Sequence, residues 1–450
     1  MISVRASAAG RACILGLGAR GRAMARALAA GGTPVTGWDE DEARRKRAAR
    51  EGVVIEHPTA RDWGDLAVLA IDDAARLDGP DDNGLLALAS AAAAPVTTEL
   101  ALFAHALAAR PGARLALAPG GPQAHGAMAL AGWIMQCSGL DARPGGWGRA
   151  LFDAPPLRAG SLSLITASAA ERARAPDLAP HALWLGPDAD VSAEELASLA
   201  ARCSGPALID MDAPGAGARL AALRKGGMDR ERLIACSGRM ALGEGVYLIG
   251  GRLHDARTHG AGRHWRVSGA GLEGLAPGLI AGAAALALAL GADADAMEAA
   301  LASFPGAQGL RAPVFQLGAV EIIDHSAAQD PRETLDAITP DLPVWWIADP
   351  GLDAAAFASP LPDHLQRLIL TGPDPRLVRK LGKRLACRTA AGLDEALARA
   401  LHGAMLSGGR AQLLYAPSTR RGPEQVHEDS AALAAALDRL TGRLKQGDAA

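Results

Sequence analysis

Short apolar runs alternate with longer amphipathic stretches along most of this chain. That alternation predicts strands joined by helices, and right-handed crossovers then give a mostly parallel sheet. Residues 11–75 show the pattern first. A strand over Ala12–Leu17 leads through Gly16, Gly18 and Gly21 into a helix, and a second strand, PVTGWDE, ends in Trp38 and Asp39. A helix over Glu42–Glu51 and a strand over Leu66–Ile71 complete a βαβαβ unit, which a Gly/Asp/Pro-rich break at Asp78–Gly84 closes. A helix is expected at Glu99–Ala109. The apolar run opening at Leu115 starts a second α/β region, with strands expected at Ser161–Thr166, Ala182–Gly186, Pro206–Met211 and Arg232–Cys236. A third region is expected to open with the apolar helix Leu279–Leu290. It carries strands at Ala319–Asp324, Pro343–Ala348, Arg367–Gly372 and Ala411–Ala416, then a last helix over 430–445. No repeat of solenoid length is present.

Length and composition refine this picture in a few respects. A chain of 450 residues is long enough for about three domains. Aromatic residues are only 3%, so the cores must be built from Ala, Leu, Val and Ile. A formal net charge of −3 supplies no field for nucleic acid or an anionic membrane. The run Arg44–Arg47 is preceded by Glu40, Asp41 and Glu42, is followed by Arg50, and reads as a solvated helix face. Cys13, Cys137, Cys203, Cys236 and Cys387 form no C-x-x-C or zinc spacing, which points to buried thiols in a reducing compartment. The longest apolar run, Gly278–Ala292, is shorter than a membrane span, and no signal-peptide order of charge and apolar core opens the chain. A cytoplasmic protein is expected.

Two glycine-rich turns carry the candidate chemistry. Gly16, Gly18 and Gly21 have the G-x-G-x-x-G spacing that brings backbone N–H groups to a diphosphate, and Asp39 lies where an acidic residue can bind a ribose hydroxyl. A nucleotide-free unit using glycine for close packing would leave the same trace. The second turn lies in LALAPGGPQAHGAMALAGWI, Leu115–Ile134, which has the strand–turn–helix outline of a phosphate loop. Ala124 and His125 stand near the places of the Lys and Ser/Thr that such a loop uses.

The order of the pieces resembles the Mur ligases, and within them the UDP-N-acetylmuramoyl-L-alanine:D-glutamate ligase (MurD) family. ILGLGARGRAMARAL with VTGWDEDEAR resembles the UDP-binding segment of that family, and PVTTELALFAHAL its linker to the central domain. PGGWGRALFDAPP resembles the G-G-N-I-G stretch, with Trp147 near the Asn. ALASFPGAQGLRA resembles the S-F-P-G-x-x-H-R lead-in to the last domain, and IIDHSAAQDPRETLDAI the N-D-S-K-A-T-N-P segment. The resemblance implies three Rossmann-like α/β domains: 1–95 binding UDP, 96–302 ATPase-like, and 303–450 C-terminal. It implies ATP and Mg²⁺ as cofactors, and UDP-N-acetylmuramoyl-L-alanine or cell-wall synthesis proteins as partners. It points to ligand contacts at Gly16, Gly18, Gly21, Trp38 and Asp39, and at Arg20, which stands where the family's turn commonly has Ser and is expected instead to reach a phosphate.

The family's phosphoryl-transfer groups are absent position by position. In the loop formed by Gly120, Gly121, Ala124 and His125, Gln123 takes the second Gly, Ala124 the Lys and His125 the Ser/Thr, while Pro122 removes an N–H donor. Ser161–Ala170 contains no carboxylate for the metal. WLGPDAD keeps Pro187 and Asp188 of N-x-x-P-D-H, but has Trp184 for Asn and Ala189 for His. No Lys falls in 184–222, and Ala276–Ile280 replaces H-N-x-x-N. Ala327 replaces the C-terminal Lys, Asp324 and His325 replace Asn-Asp, and PSTRRGPEQ replaces the S-F-D turn. Each lost electrostatic stabiliser costs a rate factor of about 10²–10³. The expectation is therefore a catalytically degenerate scaffold with no catalytic residue, no metal and no cofactor. The alternatives are an active ligase with rearranged residues, and an NAD(P)-binding oxidoreductase, for which no catalytic Lys, Tyr or His stands near the fingerprint. Of the remaining histidines, His254-x₄-His259-x₄-His264 comes nearest to a metal cluster, but no acidic or Cys set accompanies it. Asp324-His325-Ser326 holds triad residue types that adjacency keeps from stacking in triad order.

Overall fold

The computed structural model describes residues 2–6, 10–60, 63–72, 85–257, 262–338, 341–357, 360–382, 384–419 and 421–447. The break expected at Asp78–Gly84 and His259 lie outside the described residues. The chain forms two compact units, Met1–Val267 with Ala276–Leu301, and Ser268–Leu275 with Ala302–Ala450.

The first unit holds two sheets. One is fully parallel, in the order β3-β2-β1-β4-β5, from β1 (Arg11–Leu15), β2 (Val35–Trp38), β3 (Val54–Ile55), β4 (Leu66–Ile71) and β5 (Val96–Thr98). Every residue of β1 and β4 is buried, as befits strands covered on both faces. Ile14 and Val68 face Met24 and Leu28 of α1 (Ala19–Ala30), while Leu15, Leu69 and Ile71 face Ala89 of α3 (Leu85–Ala91). The basic run lies on α2 (Glu42–Arg50), with Arg44 and Arg45 half-buried, Lys46 and Arg47 exposed, and Lys46 paired to Glu42 at 2.7 Å.

The other sheet has nine strands in the order β14-β13-β12-β11-β10-β9-β6-β8-β7. Its parallel part is β6 (Arg114–Pro119), β7 (Ala142–Gly146), β8 (Leu162–Ala167), β9 (Ala182–Leu185), β10 (Ala207–Asp210), β11 (Leu233–Ser237) and β12 (Val246–Ile249). β13 (Arg252–Asp255) and β14 (Arg263–Arg266) extend it antiparallel. The helices are α4 (Glu99–Ala108), α5 (Pro122–Cys137), α6 (Ala169–Ala173), α7 (Ala193–Arg202), α8 (Ala216–Lys225), α9 (Pro277–Ala289) and α10 (Met297–Ala302). The apolar helix expected to open the third region is α9, and it belongs to this unit, packed on α5 and on β10–β12. The reason lies in its composition: Ala and Leu on all sides demand burial between a sheet and another helix.

The second unit is a six-stranded sheet, β15-β16-β20-β17-β18-β19, from β15 (Ala312–Leu317), β16 (Val320–Asp324), β17 (Val344–Ala348), β18 (Leu365–Leu370), β19 (Ala386–Thr389) and β20 (Ala411–Tyr415). Only β15 runs antiparallel. Its helices are α11 (Pro331–Asp336), α12 (Pro375–Leu381), α13 (Leu393–Leu406) and α14 (Pro423–Gly447). The period-two alternation sends Ile322, Trp345, Ile347 and Leu413 to the side of α13 and α14, and Ile323, Trp346, Leu368 and Leu414 to the side of α12. The last strand, β20, inserts between β16 and β17, so the loops after these three strands converge at one end of the sheet.

Four cysteines are buried as expected, whereas Cys137 at the end of α5 is exposed. No helix among the described residues is long and apolar enough to cross a membrane.

Candidate functional site

The first glycine turn is held by its own acids. Gly16 has φ +84°, and a Cβ there would run into the Asp72 carboxylate; a Cβ on Gly21 would run into the Gly16 carbonyl. The Leu17 N–H donates to Asp39 Oδ2 at 2.7 Å and the Gly18 N–H to Asp72 Oδ2 at 3.4 Å. The other Asp39 oxygen accepts from the Asp41 N–H at 2.8 Å, and the residue is buried. Two N–H groups of the turn thus face carboxylates rather than solvent. The Trp38 ring is covered by the Arg45 guanidinium at 4.5 Å and edged by His57 at 4.7 Å.

Arg20, expected at a phosphate, points elsewhere. It is buried, with Nε donating to Glu99 Oε2 at 2.9 Å and Nη2 donating to Glu171 Oε1. Glu99 also accepts the Leu151 N–H at 2.7 Å, and Glu171 caps α6 through Ser168. Full burial pushes the Glu99 carboxyl up to about 7 in spite of Arg20. Burial acts on Glu171 in the same direction, but Arg20 and the Ser168 bonds hold it below the usual range. Burial works against the Arg20 charge, yet Glu171 and Glu99 keep it firmly protonated. The triad ties α1 to α4 and α6.

The second glycine turn contains an anion of its own. Gly120 has φ +146°, and α5 begins behind Gly121. Into this helix start projects Asp188, from the loop after β9. Its Oδ2 accepts the N–H groups of Gly121 at 3.0 Å, Gln123 at 3.1 Å and Ala124 at 3.3 Å. A helix N-terminus attracts an anion, and here the chain supplies it. Arg219 pins the loop that carries Asp188, donating to the Gly186 carbonyl at 2.7 Å and the Ala189 carbonyl at 3.1 Å. Burial pushes the Asp188 carboxyl above its ordinary range, against those three N–H donors, and among the described residues its buried Oδ1 meets no hydrogen-bond partner.

Around this loop, bulky groups stand where the family resemblance called for polar ones. His125 is buried and stacks on Trp147 at 5.0 Å, with Trp147 held at φ +47°. Trp184 is buried against α9, where a Cβ on Gly282 would strike its ring. At the end of β10, Asp212 accepts from Ser237 Oγ at 2.7 Å and the Gly238 N–H at 2.6 Å, while burial raises the Asp210 carboxyl. Among the described residues no group of three or more His, Cys, Asp or Glu is placed to hold a metal ion. The residues present do not fit a nucleoside triphosphate and its Mg²⁺ at this loop. The N–H cradle is engaged, its anion would repel phosphate, and Ala124 stands where a Lys would neutralise one.

In the second unit, Ala327 is buried beside a cluster at the convergent strand ends. Asp324 accepts from the Gly309 N–H at 3.2 Å and the Ser326 N–H at 3.0 Å, and also from Ser430 Oγ. His325 is buried, and burial, aided by the nearby Arg311 charge, lowers its pKa to about 4. Arg421, in the segment replacing S-F-D, pairs with Asp349 and, at 3.0 Å, with Asp429. The sequence pattern singled out neither Arg421 nor Arg219; an Arg beside Gly- and Pro-rich loop residues was the only trace of either.

No family model matches the chain. Its similarities lie with individual proteins. The UDP-N-acetylmuramoylalanine–D-glutamate ligase of Caulobacter sp. (strain K31) is 27% identical over 93% of each chain. That of Rhizobium etli is 28% identical over 80% of this chain and 78% of the relative. Among solved structures, the UDP-N-acetylmuramate–alanine ligase MurC of Thermotoga maritima superposes with a TM-score of 0.61 at 14% identity, covering 96% of this chain and all of that one. A murein peptide ligase from Psychrobacter arcticus gives 0.51 at 14% identity, covering 95% and 98%. Three mostly parallel sheets in this order match the Mur ligase fold, and the chain is similar to Mur ligases over most of its length. The likeness is MurD-like, the curated relatives over most of its length being D-glutamate ligases.

Proposed function

We propose that this chain is a MurD-like protein of peptidoglycan precursor metabolism that does not use ATP for ligation. It works by binding UDP-N-acetylmuramoyl-L-alanine, or by contacting other cell-wall synthesis proteins. The supporting observation is the Asp188 carboxylate on the N–H groups of Gly121, Gln123 and Ala124, where nucleotide phosphates would otherwise lie. In this reading the domains run 1–95, 96–302 and 303–450, the first binding the UDP compound and the second keeping its fold without its phosphoryl-transfer duty.

Calorimetric titration of the full chain with UDP-N-acetylmuramoyl-L-alanine and, separately, with Mg-ATP tests the reading. The expected result is no heat of binding for Mg-ATP and no ATP hydrolysis when the UDP compound and D-glutamate are both present. Hydrolysis dependent on both would restore the active-ligase alternative and overturn the proposal.

A further inference from the structure

His254 and His264 of the GGRLHDARTHGAGRHWR segment lie on the antiparallel edge of the nine-stranded sheet, far in strand order from the second glycine turn. His254 on β13 is directly opposite His264 on β14. The Val267 N–H donates to the Gly251 carbonyl and the Ala256 N–H to the Gly245 carbonyl. Even-numbered residues of β13 therefore turn their backbone groups toward β12. His254 and His264 form a non-hydrogen-bonded pair, the kind in which facing side chains come closest.

Their imidazole rings are 6.1 Å apart with planes tilted by 31°. His254 also stacks on Tyr247 of β12, at 4.8 Å and 11°. The other face of the same strands is anchored: Leu253 and Trp265 are buried, and the Trp265 indole N–H donates to the Ala294 carbonyl at 2.8 Å. The platform is fixed while His254 is half-buried and His264 exposed. Two imidazoles on one tetrahedral ion with metal–nitrogen bonds of about 2.0–2.1 Å have ring centres about 5 Å apart. Side-chain rotation that closes roughly 1 Å brings this pair to that spacing without moving a strand.

We propose that His254 and His264 form a two-histidine site for a divalent transition-metal ion of the zinc, nickel or copper class, bridging β13 and β14. Imidazole suits these ions, and two ligands leave the remaining positions to water or a small ligand. The next rung of the same face holds Arg252 opposite Arg266, both exposed. Their charges oppose a dication through solvent, so binding tightens as added salt screens them. The site is independent of the nucleotide reading above.

The test is titration of the full chain with ZnCl₂ and with NiCl₂ under reducing conditions, in a Cys137→Ser background because that thiol is exposed. One ion per chain is expected, with His254→Ala and His264→Ala each weakening binding by about 10–100-fold or more, the loss that even outer-shell changes cause. Zn²⁺ should raise the melting temperature of the Cys137→Ser protein and leave the double His variant unmoved. Melting of each variant without metal checks that it is folded. Equal binding by the folded double variant, or no saturable binding by the parent, would overturn the proposal.

Discussion

Replacing Asp188 with Gly should convert a self-filled cradle into an empty one. The carboxylate accepts three backbone N–H groups at 3.0–3.3 Å. A hydrogen bond to a charged group contributes about 1.5–3 kcal/mol net, and deletion of a helix N-cap costs about 0.5–2 kcal/mol. The three N–H groups share one oxygen, Gln123 is exposed and can rehydrate, and burial of the charge already works against the carboxylate. The expected loss is therefore about 2–3 kcal/mol, well short of three full bonds. Asp188→Asn keeps an acceptor and removes the buried charge, so its stability should stay within about 1 kcal/mol of the parent. The empty cradle of the Gly variant should then take inorganic phosphate or pyrophosphate. At ten times the dissociation constant, bound anion returns about 1.4 kcal/mol, which raises the melting temperature of a unit this size by about 2 °C. Differential scanning fluorimetry in a phosphate and pyrophosphate series, at constant ionic strength, measures both effects. A folded Asp188→Gly protein that ignores both anions, or a parent protein stabilised by them just as strongly, would refute the reasoning.

Three further outcomes follow from the packing and the buried charges. Gly282→Ala drives a Cβ into the Trp184 ring and should cost about 1–3 kcal/mol in urea unfolding, with the loss relieved in a Trp184→Leu background. Arg20→Met leaves Glu99 and Glu171 buried without their cation and should cost about 3–5 kcal/mol at pH 8. Because Glu99 takes up a proton near pH 7, that penalty should shrink in acid, and a cost independent of pH would count against the network. His325 titrates near 4 when folded, below its unfolded value of 6.5, so the unfolded chain takes the proton first. Its stability contribution is complete above pH 6.5 and falls by about 1.4 kcal/mol per pH unit down to pH 4, roughly 3 kcal/mol in all. His325→Leu should flatten that part of the pH–stability curve.

The separation between what the sequence announced and what it concealed follows the range of the interactions. Runs such as LAVLAI are legible because burial on both faces of a parallel strand leaves no polar position, and β4 occupies that run from end to end. β7 was hidden because its Pro-Gly-Gly composition reads as a turn, although an edge strand tolerates it. The β13–β14 extension was hidden for a different reason: Arg and His on the solvent face dilute its alternation into what looks like a loop. Sequence pattern likewise kept Asp188 as the remnant of a motif, but its bonds span 64 to 67 residues, and Arg20 reaches Glu99 and Glu171 across 79 and 151. No local periodicity encodes such pairings. They explain how the scaffold can keep two glycine turns while turning their donors inward: each helix start still needs an anion, and a carboxylate carried by the chain satisfies that need with no ligand bound. A glycine fingerprint therefore records the geometry of the turn, and the acids that close over it decide whether a phosphate can use it.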